Sequence, residues 1–157
     1  EAGEPGRVFA SAGNDRDIHL SDLRASGGGG AMQTVTDALA SAINVLEFSP
    51  DGTLLLAAGF EDVIHVYDLR HMAAPLASLR GHVNGRSKAI YHPVFLSGGQ
   101  RIVSGGERTN MLTLFHSTSG DLVSRGAIDF NPTAMVDCGK FLLAAGQGEL
   151  CLLKPSF

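Results

Sequence analysis

The sequence predicts an all-β protein in which units of short antiparallel strands recur along the chain. The segment 57–70, AAGFEDVIHVYDLR, repeats the pattern of 10–24, ASAGNDRDIHLSDLR, so that Asp22 and Asp68 stand 46 residues apart. A period of this size indicates stacked structural repeats. Apolar runs that end in glycine mark four such units: Val8 to Gly13, Leu54 to Gly59, Arg101 to Gly106 and Phe141 to Gly146.

A second marker of the repeat is an aromatic residue followed two positions later by proline. It occurs at Phe48-Ser49-Pro50, Tyr91-His92-Pro93 and Phe130-Asn131-Pro132, at spacings of 43 and 39 residues. Two independent markers in the same order at a similar spacing rarely arise by chance, so they indicate a real repeat. The composition agrees, since 20 glycines and only 6% aromatic residues suit many short strands joined by tight turns.

Short apolar or alternating segments, bounded by turn residues, predict the individual strands. Ser49-Pro50-Asp51-Gly52 predicts a tight turn, because proline fixes φ and glycine accepts positive φ. The glycine run 27–30 predicts a surface loop within 25–40 that includes a ragged edge strand. The expected strands are Val8 to Gly13, Ile18 to Leu20, Met32 to Val35, Ile43 to Phe48, Thr53 to Gly59, Val63 to Tyr67, Pro75 to Arg80, Ala89 to Phe95, Arg101 to Gly105, Met111 to Phe115, Leu122 to Arg125, Ala127 to Phe130, Phe141 to Ala145 and Leu150 to Leu153.

Composition and charge argue against several classes of protein. A hydrophobic content of 44% with 18% charged residues is that of a globular chain. The net charge of −4 argues against a general nucleic-acid-binding face. Cys138 and Cys151 are too few for a disulfide scaffold, so we expect free thiols in an intracellular protein, cytoplasmic or nuclear. No apolar run approaches the roughly 20 residues that a membrane helix needs, so no membrane partner is expected.

The pattern resembles the WD-repeat family. A strand, Phe48-Ser49-Pro50-Asp51-Gly52, an apolar strand, glycine, an acidic turn and a strand that ends in Tyr67-Asp68 follow one another as in that family. Gly81-His82 resembles the opening dipeptide of such a repeat, and Tyr67 stands for the usual tryptophan, of which the chain has none. The resemblance implies a β-propeller of four-stranded antiparallel blades.

Strand counting then gives about three and a half blades in a single partial propeller, residues 1–157. The units are approximately 7–40, 41–80, 81–126 and 127–157; the first lacks its innermost strand and the last its outermost. Closed propellers have about four to eight blades. We therefore expect the chain to be the C-terminal half of a longer, seven-bladed ring. Propellers of the family commonly close by borrowing an outer strand from the N-terminal region.

The sequence offers no motif for catalysis, a cofactor or a metal. The Gly-x-Ser-x-Gly, phosphate-loop and His-Glu-x-x-His patterns are absent, and Gly146-Gln147-Gly148 is expected in a β-turn and not at the start of a helix. His19 and His65 occupy equivalent repeat positions, for which blade packing or exposure is a better explanation than metal binding. We therefore expect no enzyme activity, no cofactor and no metal site.

The Asp-x-Arg boxes are the first candidate interaction site. Tyr67-Asp68-Leu69-Arg70 matches the "WDxR" box with tyrosine in place of tryptophan, and Asp22 and Arg24 form a partial second copy. Paired boxes resemble those of substrate receptors of cullin–RING ubiquitin ligases, in which the arginine meets the ligase adaptor. The alternative is that each Asp-x-Arg closes a blade turn with a local ion pair.

The second candidate is the basic stretch Arg80 to His92, in which Arg86 and Lys88 would contact an acidic partner or a nucleic-acid backbone. The alternative is a solvated loop. Taken together, the sequence favours a non-enzymatic protein–protein interaction scaffold, a subunit of a larger assembly. The alternatives are a ubiquitin-ligase substrate receptor and, more distantly, a propeller enzyme.

Overall fold

The computed structural model describes residues 8–22, 31–81, 83–84, 90–96 and 98–154. Within these residues the secondary structure is entirely β. The strands are β1 (Val8–Ala12), β2 (Ile18–Asp22), β3 (Ala31–Val35), β4 (Ile43–Phe48), β5 (Leu54–Gly59), β6 (Val63–Asp68), β7 (Ala77–Arg80), β8 (Val94–Phe95), β9 (Arg101–Ser104), β10 (Met111–His116), β11 (Leu122–Ala127), β12 (Ala134–Asp137), β13 (Leu142–Gly146) and β14 (Glu149–Leu153).

The strands form four antiparallel sheets, each a simple up-and-down meander. The described residues give orders β1-β2-β3, β4-β5-β6-β7, β8-β9-β10-β11 and β12-β13-β14. Leu54 pairs with Asp68 in the second sheet as Val8 pairs with Asp22 in the first, so β1 corresponds to β5, the second strand of a complete unit. The predicted all-β arrangement of four-stranded units, with three strands in the first and last, is confirmed for the described residues.

The second sheet shows why these sequences form strands covered on both faces. All six residues of β5 are buried, and its side chains alternate between two neighbours. Leu54, Leu56 and Ala58 belong to an apolar cluster shared with Phe95 and Phe115 of the third sheet. Leu55 and Ala57 belong to another, shared with the first sheet. A strand between two layers is therefore apolar throughout, as this one is.

Apolar clusters of this kind join each sheet to the next. The first and second sheets share one that includes Ile18, Leu20 and Tyr67. The third and fourth sheets share another that includes Leu114 and Ala144. The sheets thus stack face to face in chain order, which is the arrangement of successive propeller blades.

The glycines that end the apolar runs of the second and fourth sheets permit a close backbone approach. A Cβ on Gly59 would overlap the carbonyl oxygen of Ala42, in the segment that leads into β4. A Cβ on Gly146 would overlap the carbonyl oxygen of Asn131, in the segment that leads into β12. These glycines therefore mark where the connection between two sheets crosses the second strand.

Two predicted strands differ from the structure. Within the described part of the predicted strand Ala89 to Phe95, only Val94–Phe95 forms a strand. The predicted strand Ala127 to Phe130 is instead the end of β11 followed by an irregular segment, and the first strand of the last sheet is β12. Ile128 and Phe130 are apolar because they are buried between the third and fourth sheets and not because they pair in a strand.

The aromatic-x-proline triplets are not equivalent either. Phe48-Ser49-Pro50 follows the first strand of its sheet, whereas Tyr91-His92-Pro93 precedes β8 and Phe130-Asn131-Pro132 precedes β12. The last two triplets lie side by side, with the His92 amide donating to the Thr133 carbonyl at 2.9 Å. The same three-residue pattern thus serves a strand-to-strand turn in one sheet and a sheet-to-sheet connection in the others.

Candidate protein-interaction surface

The Asp-x-Arg box lies at one end of the second sheet. Successive turns of an antiparallel meander alternate between the two ends of the sheet. The β4–β5 turn, 49–53, and the β6–β7 connection, 69–76, therefore share an end, and we call it the Asp68 end. The matching turns of the third sheet, 98–100 and 117–121, lie beside them.

Asp68 and Arg70 form a tight local pair within the β6–β7 connection. The Arg70 guanidinium donates from Nε to Asp68 Oδ1 at 3.1 Å and from Nη2 to Oδ2 at 2.8 Å. The Arg70 backbone N–H also donates to Asp68 Oδ1, at 2.9 Å. This two-pronged geometry is the strongest form of an arginine–carboxylate contact. The Asp68 side chain is 16% exposed and that of Arg70 is 77% exposed.

The hydrogen bonds within this pair set the charge state of Asp68. They lower the pKa of the Asp68 carboxyl from 3.8 to about 2, with the Arg70 side chain as the largest cause and the Arg70 backbone N–H as the next. The same contact raises the pKa of the Arg70 guanidinium. Both groups therefore carry full charge throughout the physiological pH range.

Asp51 holds the neighbouring turn in the same way. Its Oδ1 accepts from the Ser49 hydroxyl at 2.6 Å and from the Thr53 backbone N–H at 3.1 Å, and the Thr53 hydroxyl lies 2.9 Å from both carboxylate oxygens. These bonds, the Ser49 hydroxyl first, lower the pKa of the Asp51 carboxyl. Gly52 adopts φ +69°, so the predicted Pro-Asp-Gly turn is present.

A groove of about 500 Å³ runs between the second and third sheets at the Asp68 end. One wall carries the Asp51 turn and the Asp68–Arg70 pair, and the other carries the turns 98–100 and 116–118. Its lining is mostly polar: Asp51, Thr53, Asp68, Arg70, Gly98, Gly99, Gln100, His116, Ser117 and Thr118, with Leu54 and Leu76.

The third sheet replaces the Asp-x-Arg box with a neutral counterpart. His116 pairs with Arg101 on β9 as Asp68 pairs with Leu54 on β5. Thr118 then stands where Arg70 would be, and the Thr118 hydroxyl lies 3.2 Å from His116 Nδ1. The turn keeps an i to i+2 side-chain contact but loses the ion pair.

Other predicted site residues have different surroundings. Tyr67 is only 1% exposed, because its ring packs in the core between the first and second sheets. Its hydroxyl donates to the Ala38 carbonyl oxygen at 3.0 Å. This corrects the expectation that Tyr67 contributes to a contact surface. Asp22 ends β2 at the position that Asp68 has in β6.

Three of the predicted residues, Arg24, Arg86 and Lys88, lie outside the described part of the chain. Sequence reasoning, on the other hand, did not find Gln100, Ser117 and Thr118 on the opposite wall. These residues could have been found only by aligning β10 with β6, because that alignment shows which positions of the third sheet correspond to the Asp-x-Arg box.

Ser117 has an unusual environment within the groove lining. The residue is fully buried, and its Oγ has no hydrogen-bond partner within the described residues. A buried hydroxyl without a partner is rare in proteins, because it loses its water without compensation. It therefore points to a donor or acceptor that the described residues do not supply.

The described residues contain no group of three or more His, Cys, Asp or Glu side chains that could hold a metal ion. Nor does any described helix have the length and apolar character needed to cross a membrane. The groove at the Asp68 end brings together charged and hydroxyl side chains.

Comparison with known proteins agrees with this architecture. Residues 32–68 match the model of the family described as "WD domain, G-beta repeat". Over 98% of its length, the chain superposes with a TM-score of 0.79 and 17% identity on a chain in the crystal structure of the mitotic checkpoint complex. The fold is a partial β-propeller of the WD-repeat type. The chain spans 47% of the length of that solved chain.

The WD-repeat resemblance seen in the sequence is thereby confirmed for 32–68, which includes the box up to Asp68. Because 968 chains of solved structures match the fold, the fold alone does not distinguish among functions.

Proposed function

We propose that this chain is part of a non-enzymatic propeller scaffold that binds other proteins within a larger assembly. The observation that carries the proposal is the polar groove at the Asp68 end, where the exposed Arg70 side chain lies on a rigid turn. The solved chain with the same fold belongs to a multi-protein complex, which agrees with such a role.

Arginine suits a contact of this kind. Its planar guanidinium keeps donors free after one carboxylate is satisfied, and its side chain is enriched at protein interfaces. Asp68 fixes the direction of the Arg70 side chain before any partner arrives, so little conformational entropy remains to be lost on binding.

The test is purification of the tagged chain from its native source, with the variant Arg70→Ala beside the wild type. We expect specific proteins to accompany the wild type in stable proportion and to be reduced several-fold with the variant. Lys140→Ala, an exposed cation in the β12–β13 turn, is the matched control and should change nothing. Identical, non-specific protein sets for all three chains would contradict the proposal.

A substrate receptor of a cullin–RING ubiquitin ligase is the second candidate, favoured by the exposure of Arg70 alone. The two bonds from Arg70 to Asp68 equally suit the simpler role of closing the turn. The double variant Arg24→Ala with Arg70→Ala separates them. Loss of adaptor binding from a folded protein supports the receptor, and unchanged binding leaves the local ion pair.

Three further features belong to the proposal. The whole chain, 1–157, forms one domain and supplies about half of a seven-bladed ring. The stretch Arg80 to His92, with Arg86 and Lys88, is a second contact with an acidic partner. The assembly is intracellular, in the cytoplasm or the nucleus. Charge reversal of Arg86 and Lys88 to glutamate should weaken that second contact, and unchanged partner binding would remove it.

A further inference from the structure

The groove at the Asp68 end has a definite charge. Among its lining residues, the carboxylates of Asp51 and Asp68 face the single guanidinium of Arg70, which leaves a net charge of −1. The opposite wall, 98–100 and 116–118, adds hydroxyl, amide and imidazole groups and no fixed charge. The groove is therefore weakly acidic on one wall and neutral on the other.

Arg70 is already committed to a carboxylate. Nε and Nη2 both donate to Asp68, so an incoming anion would compete with an ion pair that is already formed. It would also meet the negative charge of Asp51 across the same wall. Recognition of an acidic partner is thus opposed by two carboxylates.

Asp51, by contrast, has capacity for a cation. Its Oδ1 accepts from Ser49 and from Thr53, whereas its Oδ2 accepts, among the described residues, only from the Thr53 hydroxyl. The residue is exposed at the tip of the β4–β5 turn. A carboxylate oxygen in this state can accept at least one further strong hydrogen bond.

The facing wall leaves room for a side chain to enter. Gly98 and Gly99 adopt φ +89° and φ +71°, and a Cβ on Gly99 would lie 3.6 Å from the Pro50 ring of the opposite wall. Neither glycine has a side chain to fill the groove. Ser117 is buried beneath this wall, and its hydroxyl has no hydrogen-bond partner within the described residues.

We propose that the groove receives a lysine or arginine side chain of a partner protein. The Asp51 carboxylate is its counter-ion, the Asp68–Arg70 pair is a fixed wall, and the hydroxyl groups of Ser117 and Thr118 contribute on the other side. This inference rests on the proposed scaffold function and specifies the chemistry of the partner: a basic, exposed segment and not an acidic one.

The test is a titration of the isotope-labelled chain with two synthetic nine-residue peptides, followed by the amide signals of Gly98, Gly99 and Ser117. One peptide alternates lysine with glycine and serine, and the other has glutamate in place of lysine. We expect the lysine peptide alone to shift these signals, more weakly at high salt.

Two substitutions fix the sign of the effect. Asp51→Asn keeps an acceptor for Ser49 and Thr53 but removes the charge, and should weaken binding of the lysine peptide about 3–10-fold. Thr118→Lys should also weaken it. Asp129→Asn, an exposed aspartate in the segment between the third and fourth sheets, controls for the loss of one negative charge.

The opposite pattern overturns the inference. Shifts with the glutamate peptide that disappear in Arg70→Gln would make the groove an anion site. Absence of groove shifts with either peptide at millimolar concentration would also overturn it. In both cases the scaffold function stands if native proteins still accompany the purified chain, and it falls only if none do.

Discussion

The residue that most clearly combines local chemistry with packing is Tyr67. It stands where the WD-repeat pattern has tryptophan, and it is buried against the first sheet. Its hydroxyl and His65 Nδ1 both contact the Ala38 carbonyl oxygen, each at 3.0 Å. One buried carbonyl in the connection between the first two sheets is thereby held by two side chains of β6.

Removal of the Tyr67 hydroxyl should therefore cost about one hydrogen bond. We expect Tyr67→Phe to lower the free energy of unfolding by about 1 kcal/mol, since the ring remains and His65 still contacts Ala38. Urea unfolding measures the difference. The control compares His65→Ala with the double variant His65→Ala/Tyr67→Phe. If the two have the same free energy of unfolding, the Tyr67 hydroxyl contributes nothing to stability.

Asp68 makes a contribution to stability that depends on pH. Its folded pKa of about 2 lies below the ordinary 3.8, so its charged form favours the folded state. This stabilisation is complete above the unfolded pKa and is lost as the pH falls from about 4 through 2. We expect the wild type to be more stable than Asp68→Asn at pH 7, with the difference vanishing near pH 2.

Urea midpoints measured from pH 7 to pH 2.5 would check this, with Asp129→Asn as a control for the loss of one exposed charge. A gap between wild type and Asp68→Asn that stayed constant across the whole range would mean that the pair with Arg70 does not bias the folded state.

At the scale of the element, close packing explains the glycine at the end of two of the apolar runs. The connection into the sheet passes so close to Gly59 and Gly146 that a Cβ would overlap a carbonyl oxygen. Glycine is required at these two positions because of the lack of space for a Cβ and not because of the backbone conformation, since neither residue has a positive φ. Close packing therefore explains the glycine at the end of these two apolar runs.

A matched pair of substitutions separates close approach from general glycine effects. Gly59→Ala should destabilise the protein by roughly 1–3 kcal/mol, because the backbone of 41–42 must shift. Gly126→Ala should be neutral or stabilise by up to about 1 kcal/mol, because nothing lies within 4 Å of its added Cβ. Thermal unfolding of both compares them. Equal effects would contradict the packing explanation.

The sequence allowed the strands of the second sheet to be located, because alternation and turn chemistry agree there. It failed in 127–133, where Ile128 and Phe130 are buried without strand pairing. Apolar residues in a covered connection give the same local signal as a short strand. The sequence also predicted only one wall of the groove, because the position of Ser117 depends on the register of β10 and on which residues are buried.

At the scale of the whole molecule, the two outer sheets differ from the two inner ones. The last sheet packs one face against the third sheet, through Met135, Leu142 and Ala144. On its other face, Val136 pairs with Leu143, which pairs with Leu152. Leu150 and Leu152 on that face are 68% and 59% exposed. An apolar patch of this kind is typical of an interaction surface.

We therefore expect the isolated chain to self-associate as its concentration rises. Leu152→Lys should reduce that association, because a charge on the face opposes burial. Ile90→Lys, at an exposed apolar residue outside any strand, is the control. Light scattering across a concentration series measures the effect. Association unchanged in Leu152→Lys would show that this face is not responsible.

The central proposal is that the chain works as a protein-binding part of a larger assembly. The most direct test is the mass and composition of the particle that contains it, purified gently from its native source and examined by light scattering and mass spectrometry. We expect a particle with other proteins in fixed proportion. A particle that contained this polypeptide and no other protein would contradict the scaffold function.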